Sequence, residues 1–447
     1  MTAISVDQIS VAGQRSATAS EIGRAPTIGV LYPSGWGNLG DEAILQVTFA
    51  ALRERWPQAS LRAFTLHPAR TAANHGVAAE PLTGVNCYLF GAPLGEGPWI
   101  VRAARGVARR TASFPVLGRL TRVAAASLAT LVFETISFTR AWKWIRTADL
   151  VVASGGGQLD AVWGGAWGQP YALARWAWLA RRSGVPFVFQ SVGFGQAPSW
   201  LSRKFLKYAV ETARYCSVRD AGSRAMTQSL GVKRELEVVP DLAFALSPGA
   251  PLSTHRPGYD IGLSPMVYLR PGSWPVADEK GYRCLVGLWS DVITSVVARG
   301  DRIHLFVSSP GDMQTVNDVL EHLDVRTRER CRVTCHETPN DLLDFYRGVD
   351  AVISSRLHGV LLAIVAARPV LALSHERKVR VAMQDAGVSD FCLDLATTDA
   401  KAVLESLDKL TGELDACERR LRAYSLTARN LLQRQDDLMP QHLRGVR

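Results

Sequence analysis

The sequence is short of features that mark several common protein classes. Its 447 residues hold seven cysteines, and these are scattered. Only Cys331 and Cys335 lie close together, with no second pair or histidine-rich stretch to complete a zinc pattern. No metal is therefore expected, and the cysteines read as reduced thiols of a cytosolic protein. No nucleic-acid-binding motif is present, so no nucleic acid is expected as a partner. A net charge of +10 points instead to acidic substrates or an anionic membrane surface. Residues 1–26 are rich in Ala and Ser without an apolar core, and read as a flexible tail rather than a signal peptide. The longest apolar stretch, Val123 to Phe138, falls short of the ~20 residues of a spanning helix.

What is present is a repeated strand–loop–helix pattern. Short apolar runs at Thr27–Tyr32, Leu61–Leu66, Asp149–Ser154, Pro186–Gly193 and Tyr215–Val218 each lead into glycine-rich or polar turns and then helical patterns. A Pro-, Gly- and Ser-rich stretch at 246–262 reads as a linker. A second set of strands is expected at Val267–Arg270, Arg302–Ser308, Ala351–Ser354 and Val370–Ser374. The expected fold is α/β, with two Rossmann-like domains (27–245 and 263–425) facing a cleft, and a C-terminal tail over 426–447. Residues 99–146 interrupt the first domain with nine Arg or Lys against Glu134 alone. This insertion is either an interfacial helix pair whose cations face lipid phosphates, or an ordinary helical insertion packed on the sheet.

Candidate site residues lie where strands meet helices. Gly35-x-Gly37-x-x-Gly40 has the form of a dinucleotide fingerprint, but Asp41 and Glu42 in the following helical turn would repel a pyrophosphate. The acid expected after the second strand is also missing, so no dinucleotide cofactor is expected. The loop is read instead as presenting Asn38 and Asp41 to the cleft. In the turn Gly155-Gly156-Gly157, Gly156 and Gly157 would let the backbone approach a ligand closely. Arg270 is read as a strand-end cation at the opening of the second domain. The sharpest signal is Ser354-Ser355-Arg356-Leu357-His358, followed by Lys378 after the next strand. There an apolar strand runs into an Arg and a His at a helix start, a place that favours anions. The plain alternative is a solvated arginine and a structurally satisfied histidine.

Taken in order, Asn38-Leu39-Gly40-Asp41, Gly155–Gly157, Gln190–Gly193, Ser217-Val218-Arg219-Asp220, Pro240-Asp241 and Ser355-Arg356-Leu357-His358 with Lys378 resemble the polysaccharide pyruvyl transferase family. The resemblance implies a GT-B-like fold, phosphoenolpyruvate as donor, and a cyclic pyruvate ketal on a sugar of a cell-surface glycan or its lipid-linked precursor. It carries Arg270, Arg356 and His358 over as donor-site residues. Arg270 and Arg356 would clamp phosphate and carboxylate with help from Lys378, His358 would act as the acid, and Asp41 would accept a hydroxyl proton. The expected location is the cytoplasm, at the inner face of the plasma membrane if residues 99–146 meet anionic lipid. Two other readings stay open: a GT-B glycosyltransferase using a nucleotide sugar, and a non-catalytic membrane-associated glycan-assembly protein.

Overall fold

The structure, a computed structural model, describes residues 24–89, 99–111, 114–162, 164–249, 257–274 and 276–445. Thirteen strands among them are β1 (Thr27–Leu31), β2 (Ser60–Thr65), β3 (Ala78–Pro81), β4 (Leu150–Ser154), β5 (Phe187–Val192), β6 (Tyr215–Val218), β7 (Glu237–Val238), β8 (Asp260–Ser264), β9 (Arg302–Val307), β10 (Cys331–Cys335), β11 (Ala351–Ser354), β12 (Val370–Leu373) and β13 (Cys392–Leu393). They form two wholly parallel sheets, ordered β3-β2-β1-β4-β5-β6-β7 and β10-β9-β8-β11-β12-β13. Helices cover both faces, so the central strands are apolar without alternation: every residue of Leu150–Ser154 and Ala351–Ser354 is buried. The strand order reverses between β1 and β4, and again between β8 and β11. Crevices outside the carboxyl ends of strands at such points are where open α/β sheets bind ligands. The loops carrying Asn38, Gly155, Ser264 and Arg356 all leave from these four strand ends.

The first strand of the second domain is Asp260–Ser264, not Val267–Arg270 as the sequence reading had it. The true strand lies inside the stretch read as a linker; residues 250–256 of that stretch are outside the described residues. Pro265 explains the shift, because a residue with no N–H cannot continue a central ladder. The chain then continues as a loop, with Leu269 in the left-handed region at φ 63°.

Residues 426–445 of the expected C-terminal tail (426–447) are not a tail; the last two lie outside the described residues. A 25-residue helix, Leu414–Leu438, starts on the second domain, where the Ser425 hydroxyl donates to the Ile364 carbonyl at 2.9 Å. It ends on the first domain. There Gln435 Oε1 accepts from Ser217 and from Tyr215 at 3.4 Å, and His442 stacks on Tyr215. Leu432, Met439 and Leu443 are buried, and the Arg444 amide donates to the Asp149 carbonyl at 3.0 Å. This helix straps the two sheets together. The N-terminal tail expected over residues 1–26 lies outside the described residues up to residue 23.

The insertion forms two helices, Trp99–Arg110 and Pro115–Ile145. The base of the second packs on the first sheet: Ile145 and Ala141 join its core, and the Trp144 ring lies directly on Gly29 of β1 and against Phe64.

Candidate functional site

Asn38 caps the helix Leu39–Arg55, its side-chain oxygen accepting from the Gly40 amide at 3.0 Å. This cap fixes how the helix start meets the second domain. The Leu39 amide donates to the Ser308 carbonyl beyond β9 at 2.8 Å, and Gly40 faces the imidazole of His358. A Cβ on Gly40 would fall 1.8 Å from His358 Cγ, so only glycine fits. Gly40→Ala is expected to displace His358 and to lower turnover by ~10² or more, the usual consequence of an ångström-scale misplacement. A steady-state assay beside an unchanged far-UV circular dichroism spectrum checks this.

The acids after Gly40 diverge. Glu42 is buried and held by His75 at 2.9 Å and Asn74 at 3.1 Å, which makes it structural. Asp41 turns the other way and accepts from the Tyr32 hydroxyl at 2.9 Å. Tyr32 in turn closes over Gly156, where φ is 63° and a Cβ would meet the phenol oxygen at 2.2 Å. Gly156 is therefore required by packing and by backbone conformation together, whereas Gly157 is exposed with open space where a Cβ would stand. Burial raises the Asp41 carboxyl to about 7; the Tyr32 hydrogen bond and Lys378 oppose this, while Glu42 and Asp241 add to it.

His358 lies one residue into the helix Leu357–Val365. Its Nε2 is shut off from solvent and has no hydrogen-bond partner. Burial lowers its imidazole to about 4, with Asp241 and Glu376 working against the shift and Arg219 and Lys378 with it. At neutral pH this histidine is therefore uncharged. Arg356 is clamped by the buried Asp312, through Nε to Oδ2 at 2.7 Å and Nη2 to Oδ1 at 2.6 Å. Asp312 also accepts from the Val267 amide at 2.9 Å. This bidentate fork fixes the guanidinium plane and leaves Nη1 with no partner among the described residues. Asp312→Ala would strand a cation that is only 23% exposed, with an expected cost of about 3 kcal/mol in a urea melt.

Around this pair stand buried hydroxyls without partners. The Oγ atoms of Ser264, Ser308, Ser354 and Ser355 make no hydrogen bond, and these residues follow or end the adjacent strands β9, β8 and β11. Arg356, at the N-cap, offers no side-chain bond to the start of the helix Leu357–Val365. Lys378 pairs with Glu376 at 2.9 Å, and both line a cleft of about 850 Å3. Asp160, Phe194 and Asp220 of the first domain line its opposite wall. In the same cleft His375 stacks on Tyr268 with centroids 3.9 Å apart, and Trp274 stands edge-on to both.

Of the residues singled out in the sequence, Asp41, His358 and Lys378 thus form one electrostatic cluster, and Arg356 adjoins it. Arg270 is held elsewhere: Nε bonds Asp318 at 3.0 Å, Nη1 bonds Gln314 at 2.9 Å, and the guanidinium lies over the Tyr282 ring. Tyr32, Asp312, Ser264 and Ser308 were not singled out, and Arg219, Asp241, Ser354 and Ser355 stood in the quoted motifs without a role of their own. Arg219 packs on Gly193 and pairs with Asp241 at 3.3 Å, and both residues sit at strand ends already legible as motifs. Among the described residues no group of three His, Cys, Asp or Glu is placed to hold a metal.

A family model described as polysaccharide pyruvyl transferase matches residues 38–377. A search of curated protein sequences gives no match. Among solved structures, a glycosyltransferase from Rickettsia africae is similar with a TM-score of 0.52 at 10% identity, over 93% of this chain and 98% of that one. The UDP-GlcNAc 2-epimerase of Methanocaldococcus jannaschii gives 0.53 at 8% identity, over 89% and 99%. HepE of Anabaena, solved with UDP, gives 0.53 at 12% identity, over 92% and 99%. At these identities the likeness is one of fold: two α/β domains in the GT-B arrangement.

Proposed function

The chain belongs to the polysaccharide pyruvyl transferase family, and on that footing we propose a specific reaction. It moves the enolpyruvyl group of phosphoenolpyruvate onto a sugar of a cell-surface polysaccharide or its lipid-linked precursor, closing a cyclic ketal and releasing phosphate. The observation that carries this reading is the set of unpartnered buried hydroxyls beside Arg356 and the helix start. Each such group costs about 1–3 kcal/mol if left unsatisfied. Several together at three adjacent strand ends fit a small anion rich in acceptor oxygens. Ser264, Ser308 and Ser355, Arg356 Nη1, Lys378 and the amides of the helix start would hold the phosphate and carboxylate of the donor. The aromatic wall of Tyr268, His375 and Trp274 would take the apolar face of a sugar.

The two titrating groups divide the proton transfers, as pairs pushed apart by their surroundings commonly do. Asp41, protonated up to about 7, donates to the methylene carbon of the donor, building oxocarbenium character at C2. A sugar hydroxyl adds to C2 and gives its proton to neutral His358, whose imidazolium is stabilised by the adjoining phosphate. The C–O bond to phosphate then breaks, and a second hydroxyl closes the ketal. One hydroxyl proton replaces the one given to carbon, and the other leaves with phosphate. This reverses the roles expected from the sequence, where His358 was the acid; the physical reason is that burial discharges a histidine but protonates a carboxylate.

Donor choice is tested by thermal shift. Phosphoenolpyruvate is expected to raise Tm by stabilising the folded state through binding, and the Ser264→Ala/Ser308→Ala/Ser355→Ala variant to lose most of that rise. A shift with UDP-glucose and none with phosphoenolpyruvate would select nucleotide-sugar transfer on the same fold.

A further inference from the structure

The two inserted helices present an apolar surface that is exposed among the described residues. Their shared core is small, consisting of Val101, Ala129 and Phe133. Toward the turn that joins them, Phe114 is 60% exposed, Val116 73%, Leu120 62% and Val123 60%, with Val107 and Leu117 also bare. Large exposed apolar patches of this kind mark interaction surfaces. Arg109, Arg110, Arg119 and Arg122 share this end of the hairpin, and residues 99–122 hold no acid. The lone acid of the insertion, Glu134, lies nearer the base. It faces the domain, accepting from the Val85 amide at 3.0 Å and the Tyr171 hydroxyl at 2.8 Å and pairing with Arg175.

From this juxtaposition we propose that the tip of the hairpin docks on an anionic lipid bilayer, its apolar side chains entering the headgroup region while the arginines meet lipid phosphates. Charge decides the occupant. A strictly cationic rim around large apolar side chains suits a negative interface, where arginine stems can lie along the apolar layer with their heads at the phosphates. A second copy of the chain would bring the same cations face to face. Within the second helix, Val116–Ile145 is long and apolar enough to cross a bilayer by length and composition. Crossing would strip Trp144 from Gly29 and Glu134 from its three partners, and would bury Arg119 and Arg122 in hydrocarbon. Lying at the surface costs none of these. The inference stands apart from the donor chemistry, because the tip residues line neither the cleft nor the His358 cluster.

The test is flotation of the full chain with vesicles of phosphatidylcholine alone or mixed with phosphatidylglycerol, at low and high salt. Three results are expected: binding to the mixed vesicles, weak binding to phosphatidylcholine, and weakening by salt. The exposed triple variant Phe114→Ser/Leu117→Ser/Leu120→Ser should keep its melting curve. It should lose ~30-fold or more in partitioning, at about three- to fivefold per side chain. Arg109→Gln/Arg110→Gln/Arg119→Gln/Arg122→Gln should lose roughly fivefold per cation on mixed vesicles only. Absence of binding to mixed vesicles, or equal binding by the triple variant, would overturn the proposal. So would a concentration-dependent dimer abolished by that variant without any lipid binding, which would assign the patch to a second copy.

Discussion

Removal of residues 426–447 is expected to leave a chain that no longer folds as one cooperative unit. Leu432→Ala alone is expected to cost about 2–5 kcal/mol. The reason is where this segment lands. It fills the first domain with Leu432, Met439 and Leu443, each 2% exposed, after starting from the second domain. Its Gln435 is also 2% exposed and supplies the acceptor for the Ser217 hydroxyl, while its own amide reaches Ser191 at 3.3 Å. Ser191 holds φ at 50°, a backbone state that a serine keeps only when its surroundings impose it. Truncation would remove the apolar cover and take Gln435 from both the Ser191 and Ser217 hydroxyls at once. Against a total stability of about 5–15 kcal/mol for a typical domain, such a loss is large. Urea melts followed by circular dichroism measure it. A truncated chain with an unchanged midpoint would show the segment to be dispensable.

Replacing His358 or Asp41 is expected to lower turnover by ~10²–10⁴ each, the span usual for a positioned acid or base. The two variants should fail differently. In deuterated water with donor and acceptor, His358→Ala should still exchange deuterium into the methylene carbon of phosphoenolpyruvate, because Asp41 remains to protonate it. Asp41→Asn should abolish that exchange. The pH dependence follows from the same pair. An acid must carry its proton, so kcat/KM should fall as Asp41 ionises above about 7. A base must lack one, so activity should persist into mildly acid solution until His358 is protonated near about 4. Asp41→Asn should lose the upper limb. Equal deuterium exchange in the two variants would contradict the division of roles.

Much of the framework was legible because buried parallel strands are written as continuous apolar runs closed by glycines. Leu150–Ser154 before three glycines, and Ala351–Ser354 before Arg356, could be read directly and do form fully buried central strands. The strand Asp260–Ser264 was hidden by the Pro- and Gly-rich residues around it, which made it look like linker. Arg270 looked like a strand-end cation because Met266–Leu269 is apolar. In the folded chain Met266 and Val267 are buried within a loop, and Asp318 takes the guanidinium. Asp312 carried no local signal, since its partner Arg356 lies 44 residues further on. The same holds for the serine hydroxyls, which become a set only when β9, β8 and β11 are aligned side by side. The C-terminal helix has the pattern of an exposed amphipathic segment. Its buried face is created by two domains that the sequence places far away.

The central claim is that the cluster of Arg356, His358, Asp41 and the unpartnered serines transfers pyruvate from phosphoenolpyruvate to a glycan. It is tested most directly by incubating the protein with phosphoenolpyruvate and a panel of polysaccharide acceptors, following inorganic phosphate and acceptor mass together. The predicted result is equimolar phosphate release and pyruvate ketal on one acceptor, with both lost in His358→Ala. Phosphate release without a mass gain on any acceptor, or a mass gain that survives His358→Ala at full rate, would contradict it.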